Sequence, residues 1–122
     1  SSHRWLLGEV CQADLPVMLF GRSAGCVQIY TGRVRQGPSD AAEQTLAGES
    51  FEMSLRPDAV DSLWLVRKPT ADGDVTSVEF FDRDRQLCLQ VFGERKPGRA
   101  ELSDWRGLTR RLEERAAIGP GV

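Results

Sequence analysis

Between Ser62 and Phe92 the chain carries three apolar runs separated by two short turns, a pattern that leaves few folds open. Ser62 to Lys68 (SLWLVRK) is almost continuously apolar and ends in two cations, with Pro69 expected to stop it. Ala71-Asp72-Gly73-Asp74 has the composition of a turn, Val75 to Phe81 returns, Asp82 to Arg85 turns again, and Gln86 to Phe92 closes the series. Runs joined by connections this short must pair antiparallel, because a parallel pair needs a crossover of a dozen or more residues. The spacing therefore predicts an antiparallel meander.

The flanks add a second kind of periodicity. Leu102, Trp105, Leu108 and Leu112 recur three and four residues apart, the apolar stripe of a helix, with Ser103 or its predecessors as cap and Gly119-Pro120-Gly121 as a stop. Trp5 to Ala13 predicts a shorter helix. Upstream of the meander, Gly21 to Gly25 separates Val17 to Phe20 from Cys26 to Val34, a hairpin signal. In the second run Cys26, Gln28 and Tyr30 point one way and Val27, Ile29 and Thr31 the other. Gln36 to Ser50 is polar, carries Gly-Pro and shows no clean period, so it reads as a long loop with room for a helical turn; Phe51 to Leu55 alternates like a half-buried strand. The predicted class is α+β: an antiparallel sheet with amphipathic helices packed on it, residues 1–122 forming one domain.

The bulk numbers exclude several classes. With 40% apolar and 28% charged residues in 122 positions, the chain is composed like a globular protein that can bury a real core. A net charge of -2 provides no sign-wide field for nucleic acid or an anionic membrane. No run approaches the roughly 18 apolar residues of a membrane span, and no signal-peptide core opens the chain. Three cysteines (Cys11, Cys26, Cys88), an odd number without a Cys-x-x-Cys pair, argue for reduced thiols and a cytoplasmic setting rather than a disulfide framework or a zinc site. The one histidine, His3, rules against a histidine-based triad or a multi-histidine metal centre. Asp72, Asp74, Asp82 and Asp84 sit in turns, where aspartate ordinarily caps backbone amides. No phosphate loop or dinucleotide fingerprint occurs.

Polar residues within the apolar strands are the remaining candidates. Gln28 and Gln90 interrupt runs that would bury without them; Lys68 shares a face with Trp64 and Val66, and Phe92 one with Gln90 and Cys88, while Arg95 follows directly. A buried amide or ammonium without a partner costs on the order of 1–3 kcal/mol. Cross-strand hydrogen bonding and a snorkelling lysine satisfy that need in the simplest case. The functional alternative is an aromatic-lined floor with cations at its rim, suited to a flat apolar ligand bearing carboxylates.

The order of residues also resembles a known family. Gly25-Cys26-Val27-Gln28-Ile29-Tyr30-Thr31-Gly32, the block from Trp64 through Pro69-Thr70 and Asp72-Gly73 to Val75-Thr76-Ser77, the stretch Gln90 to Gly98, and the Trp105-Arg106 pair are similar to bacterial hemin-degrading and haem-trafficking proteins of the HemS/ChuS/HmuS type. The likeness runs from about Val17 to Leu112 and matches the carboxy-terminal one of their two similar halves. It implies a cytoplasmic protein that binds haem b (hemin) against its sheet, with Lys68, Gln90 and Arg95 facing the propionates and Phe92, where tyrosine is common, forming an aromatic wall. A chain matching a single half is expected to form a homodimer and to receive haem from a delivery partner protein, while charge and hydropathy predict no nucleic acid and no membrane insertion.

Departures from the family pattern concern the iron. His3 does not align with the family's ligating histidine, which lies upstream, and Ser54 stands in Phe51-Glu52-Met53-Ser54-Leu55 where relatives carry another histidine. The Gly-Pro-Trp loop reads Gly37-Pro38-Ser39. Tyr30, where many relatives have histidine or phenylalanine, is a candidate ligand as tyrosinate, the simpler reading being an ordinary strand tyrosine with its hydroxyl satisfied. Three functions are compatible with the residues: haem binding and trafficking, a haem-free structural or interaction domain retaining the fold, and haem degradation, for which no catalytic residue is evident.

Overall fold

A computed structural model describes residues 2–115; the expected stop at Gly119-Pro120-Gly121 lies outside the described residues. Helix α1 (Ser2–Gln12) leads into β1 (Val17–Ser23) and β2 (Cys26–Gly32), then β3 (Arg35–Gln36), β4 (Gln44–Gly48) and β5 (Phe51–Leu55). A 3-10 turn (Pro57–Ala59) precedes β6 (Ser62–Thr70), β7 (Gly73–Phe81) and β8 (Leu87–Gly93), and helix α2 (Ser103–Arg115) follows. The large sheet has five strands in the order β2-β1-β8-β7-β6, each pair antiparallel, and β3-β4-β5 make a second, three-stranded sheet. The predicted meander is its β6-β7-β8 portion.

Local chemistry explains these elements. Asp82 Oδ1 accepts the amides of Asp84 and Gln86, both at 2.9 Å, and so shapes the β7–β8 turn in which Arg85 takes a left-handed φ of 61°. Gly73, at φ +102°, closes the β6–β7 turn. Pro69 does not end its strand as expected: β6 continues to Thr70, which an edge strand tolerates because a proline's missing N–H can face outward. The first hairpin is also tighter than expected, since β1 extends through Gly21 and Arg22 to Ser23 and only Ala24-Gly25 connect it to β2.

One face of the large sheet carries the core. Val17, Leu19, Val78, Phe80, Leu89 and Val91 are buried there beneath Leu6, Leu7 and Val10 of α1 and Trp105, Leu108 and Leu112 of α2. Leu46 of β4 joins them from the small sheet, so the polar-looking loop conceals a buried strand. Helix α2 is locked on by a buried polar knot. Glu101 accepts from the Thr76 amide at 2.7 Å, the Thr76 hydroxyl at 2.8 Å and Arg106 Nε at 3.2 Å, while Trp105 Nε1 donates to the Thr76 carbonyl at 2.9 Å. Gly93 is what lets the indole this close, since a Cβ there would stand 2.7 Å from Trp105 Cβ and Cγ.

His3, on α1, meets Phe80 edge-on with ring centroids 6.2 Å apart, away from the opposite sheet face. Burial first, then nearby positive charge, lowers its pKa below 6.5. The fold thus prefers neutral His3, so its share of stability is complete above pH 6.5 and declines as pH falls below that value. Urea midpoints at pH 7.5 and 5.0 should differ less for His3→Gln than for the wild type; an equal or larger difference in the variant would contradict this.

Candidate functional site

The other face of the large sheet is open and mixes apolar with charged side chains. Paired residues point the same way across an antiparallel ladder, so the registers place Met18, Phe20 and Arg22 of β1 beside Phe92 and Gln90 of β8, then Ser77 and Glu79 of β7, then Val66 and Trp64 of β6. Lys68 opposes Val75 on the same face, and Ile29 and Val27 extend it across β2. Ile29, Trp64 and Val27 remain 63, 48 and 46% exposed. Val27 and Ile29 lie on the β2 edge and Trp64 on the β6 edge, so the exposed apolar side chains flank this face rather than form one patch.

Lys68, Gln90 and Phe92 therefore share one face although they come from different strands, and Arg95 joins them from beyond β8. Met18, Val75 and Phe92 form the apolar wall of a hollow of about 290 Å³, closed by Asp72, Arg95, Lys96 and Pro97. Arg95 is loosely held: Nη2 stands 3.8 Å from Asp72 Oδ2 and 3.4 Å from the Arg99 carbonyl, and its buried Nε has no hydrogen-bond partner. A buried N–H left without an acceptor is costly, so this guanidinium is less fully satisfied than the other side chains of the hollow.

Gln90 is more occupied than its sequence position suggests. Arg22 Nε and Nη2 donate to its Oε1 at 3.1 and 2.7 Å, and its Nε2 donates to Glu79 Oε2 at 2.8 Å. Phe92 packs edge-on to Phe20, ring centroids 5.5 Å apart.

One expected grouping is revised. A bulge between Phe80 and Phe81 breaks the alternation of the β7–β8 pair, and Cys88 packs against the core rather than beside Gln90 and Phe92, its thiol donating to the Phe80 carbonyl at 3.2 Å. Tyr30 lies on the core side, stacked on Phe51 at 4.2 Å, its hydroxyl donating to the Arg33 carbonyl at 2.8 Å. The geometry separates it from the other four candidates. The thiols are free: burial raises the Cys11 pKa to about 11 and raises that of Cys88, whereas Cys26 is exposed rather than buried.

Glu79, Arg22 and Met18 belong to this surface and did not stand out in the sequence, and Asp72, read there as a turn residue, lines the hollow as well. Alternation along Val75, Ser77 and Glu79 contains the signal for Glu79. Arg22 was hidden by the assignment of Gly21 to Gly25 to a turn.

An antiparallel sheet packed on one side by two helices and a small sheet, with cations at one end of its open side, defines an α+β domain of a particular build. That build has known relatives. The family described as the haemin-degrading HemS/ChuX domain matches residues 1–112, and the chain belongs to it. It is similar to the hemin transport protein HemS of Yersinia enterocolitica, 33% identical over 115 residues that cover 94% of this chain and 33% of that protein. Apo-PhuS, a heme-binding protein from Pseudomonas aeruginosa, superposes with a TM-score of 0.82 at 38% identity, over 91% of this chain and 33% of that one. ChuS, an E. coli heme oxygenase, gives a TM-score of 0.83 at 33% identity, over 92% and 34% of the two chains. The chain spans about a third of the length of these relatives. Among the described residues no helix is long and apolar enough to cross a membrane.

Proposed function

We propose that this chain is a haem-utilisation domain that binds hemin on the open face of its large sheet and serves intracellular haem trafficking. The observation that carries the reading is the hollow that Arg95 lines with Phe92 and Met18, on the face where Lys68 stands, together with the want of any hydrogen-bond partner for Arg95 Nε. The hollow suits an acid arm, and the adjoining aromatic pair of Phe92 and Phe20 suits a porphyrin plane. The fit is at the acid end: this face offers neither imidazole nor phenolate to the iron.

Kinship with a heme-binding protein and a hemin transport protein supports the assignment. Free cysteines support a cytoplasmic setting. Val27 and Ile29, exposed on the β2 edge of the sheet, support pairing with a second copy, a homodimer replacing two tandem halves. A haem-delivery partner belongs to the same reading. The engaged amide of Gln90 favours one competitor, a haem-free domain that keeps the fold and uses these polar residues only to tie its strands.

Titrating hemin into the purified protein separates the two. A saturable Soret shift at one site per chain or per dimer is the expected result, and non-specific association alone would leave the haem-free domain. Tyr30→Phe should show the same ferric spectrum as the wild type, because the wild-type hydroxyl is turned to Arg33. Loss of a charge-transfer band in the variant would restore Tyr30 as a ligand.

A further inference from the structure

Resting on the hemin reading, we propose that Arg22 and Glu79 govern how Gln90 meets a ligand carboxylate, Arg22 as its positioning residue and Glu79 as a brake on acid arms. The three side chains form one line across β1, β8 and β7 on the open face. Arginine has only donors and an ionised carboxylate only acceptors. The amide of Gln90 therefore has one permitted orientation, with Oε1 towards Arg22 and Nε2 towards Glu79. Its donor end is aimed at β7, and so towards the β6 side of the face where Trp64 and Lys68 lie. A carboxylate reaching that donor end also reaches Glu79.

Nε2 carries two hydrogens, and among the described residues only Glu79 accepts from it. A ligand carboxylate takes the second hydrogen without breaking the line, but its charge then stands close to that of Glu79. Glu79 is half-buried, and Ser77 Oγ reaches it only at 3.4 Å, so its charge is incompletely offset at that spot. Like charges so placed repel, and water screens them less than at a fully exposed site. Glu79 thus lowers affinity for acid arms near Gln90 and leaves the end held by Lys68 and Arg95 as the better place for them. The site discriminates by charge position rather than by shape.

The experiment compares hemin with its dimethyl ester, in which both carboxylates are masked, on the wild type, Glu79→Gln and Arg22→Met, after thermal unfolding has shown all three folded. Glu79→Gln should tighten hemin roughly three- to tenfold and leave the ester unchanged, since glutamine keeps an acceptor for Gln90 but removes the charge. Arg22→Met should weaken hemin roughly threefold by freeing the amide to turn over. If the two residues served only to tie the strands, both variants would weaken hemin alike, and that result overturns the proposal. Equal tightening of hemin and ester by Glu79→Gln overturns it too, because charge would not be the cause. Failure of the wild type to bind hemin saturably removes the parent reading and this one with it; binding with unchanged Glu79→Gln affinity removes this one alone.

Discussion

Trp105→Ala should destabilise the domain by about 3–5 kcal/mol, the cost of emptying a large buried aromatic site. Small domains are stable by only about 5–15 kcal/mol in total, so the variant should sit near the edge of folding, its urea midpoint lowered by roughly 2 M. Three observations support so large an effect. The side chain is 0% exposed, its indole N–H holds the Thr76 carbonyl at 2.9 Å, and Gly93 has given up its Cβ to let the ring approach. No neighbouring side chain stands on Gly93 to collapse into the space. Trp105→Phe separates packing from hydrogen bonding: it keeps most of the ring, leaves the Thr76 carbonyl without its indole donor, and should cost about 1–3 kcal/mol. Equal losses in the two variants would show that the hydrogen bond, not the filled volume, holds α2 down.

The same knot shows what a sequence can display and what it withholds. The helix stripe Leu102, Trp105, Leu108, Leu112 was readable because burial on one side imposes a period, and three of the four are indeed buried while Leu102 stays 36% exposed. The meander was readable for the same reason. Glu101 and Thr76 were not: each is a polar residue in an unremarkable setting until the fold brings them together across 25 positions. Gln44 and Thr45 hid β4 in the same way. They are 1 and 6% exposed; Gln44 Nε2 donates to the Arg4 carbonyl and Thr45 pairs with Ser54 and Ser39, partners that no local pattern reveals, while the buried Gln44 Oε1 has no hydrogen-bond partner.

The open face was half legible. Alternation placed Lys68 with Val66 and Trp64, and Gln90 with Phe92, but only the pairing registers of β6, β7 and β8 show that the two sets lie on one side of one sheet. Strand-by-strand reading gives parity within a strand and none between strands. A single bulge was enough to move Cys88 off the predicted face. Family resemblance supplied the grouping that periodicity could not, and the geometry then distinguished its members: Arg95 with an unused buried donor, Gln90 already engaged, Tyr30 on the far side.

That distinction ranks the cations of the proposed hemin site. Arg95→Glu should weaken hemin about 100-fold, whereas Lys68→Ala should cost only a few-fold. Lys68 is exposed, and a solvated ammonium contributes little to an ion pair, typically ~0.2–1 kcal/mol. Arg95 keeps 25% of its side chain exposed and has one buried N–H idle, so a carboxylate arriving there gains a charge-assisted bond at a group already removed from water. Truncating such a charge typically costs 2–5 kcal/mol, and about 2.8 kcal/mol corresponds to the 100-fold quoted, at 1.4 kcal/mol per tenfold. Reversal adds repulsion between the new carboxylate, Asp72 and the ligand. Asp72→Asn is the internal control: at 3.8 Å from Arg95 and 40% exposed, Asp72 is a weak counter-ion, and its removal should tighten hemin by no more than a few-fold. Soret titrations at 0.15 and 0.5 M salt measure all three. Parallel losses in Lys68→Ala and Arg95→Glu, both vanishing at high salt, would mean that hemin senses only the diffuse charge of this edge and that no seat for its acid arm exists beside Phe92.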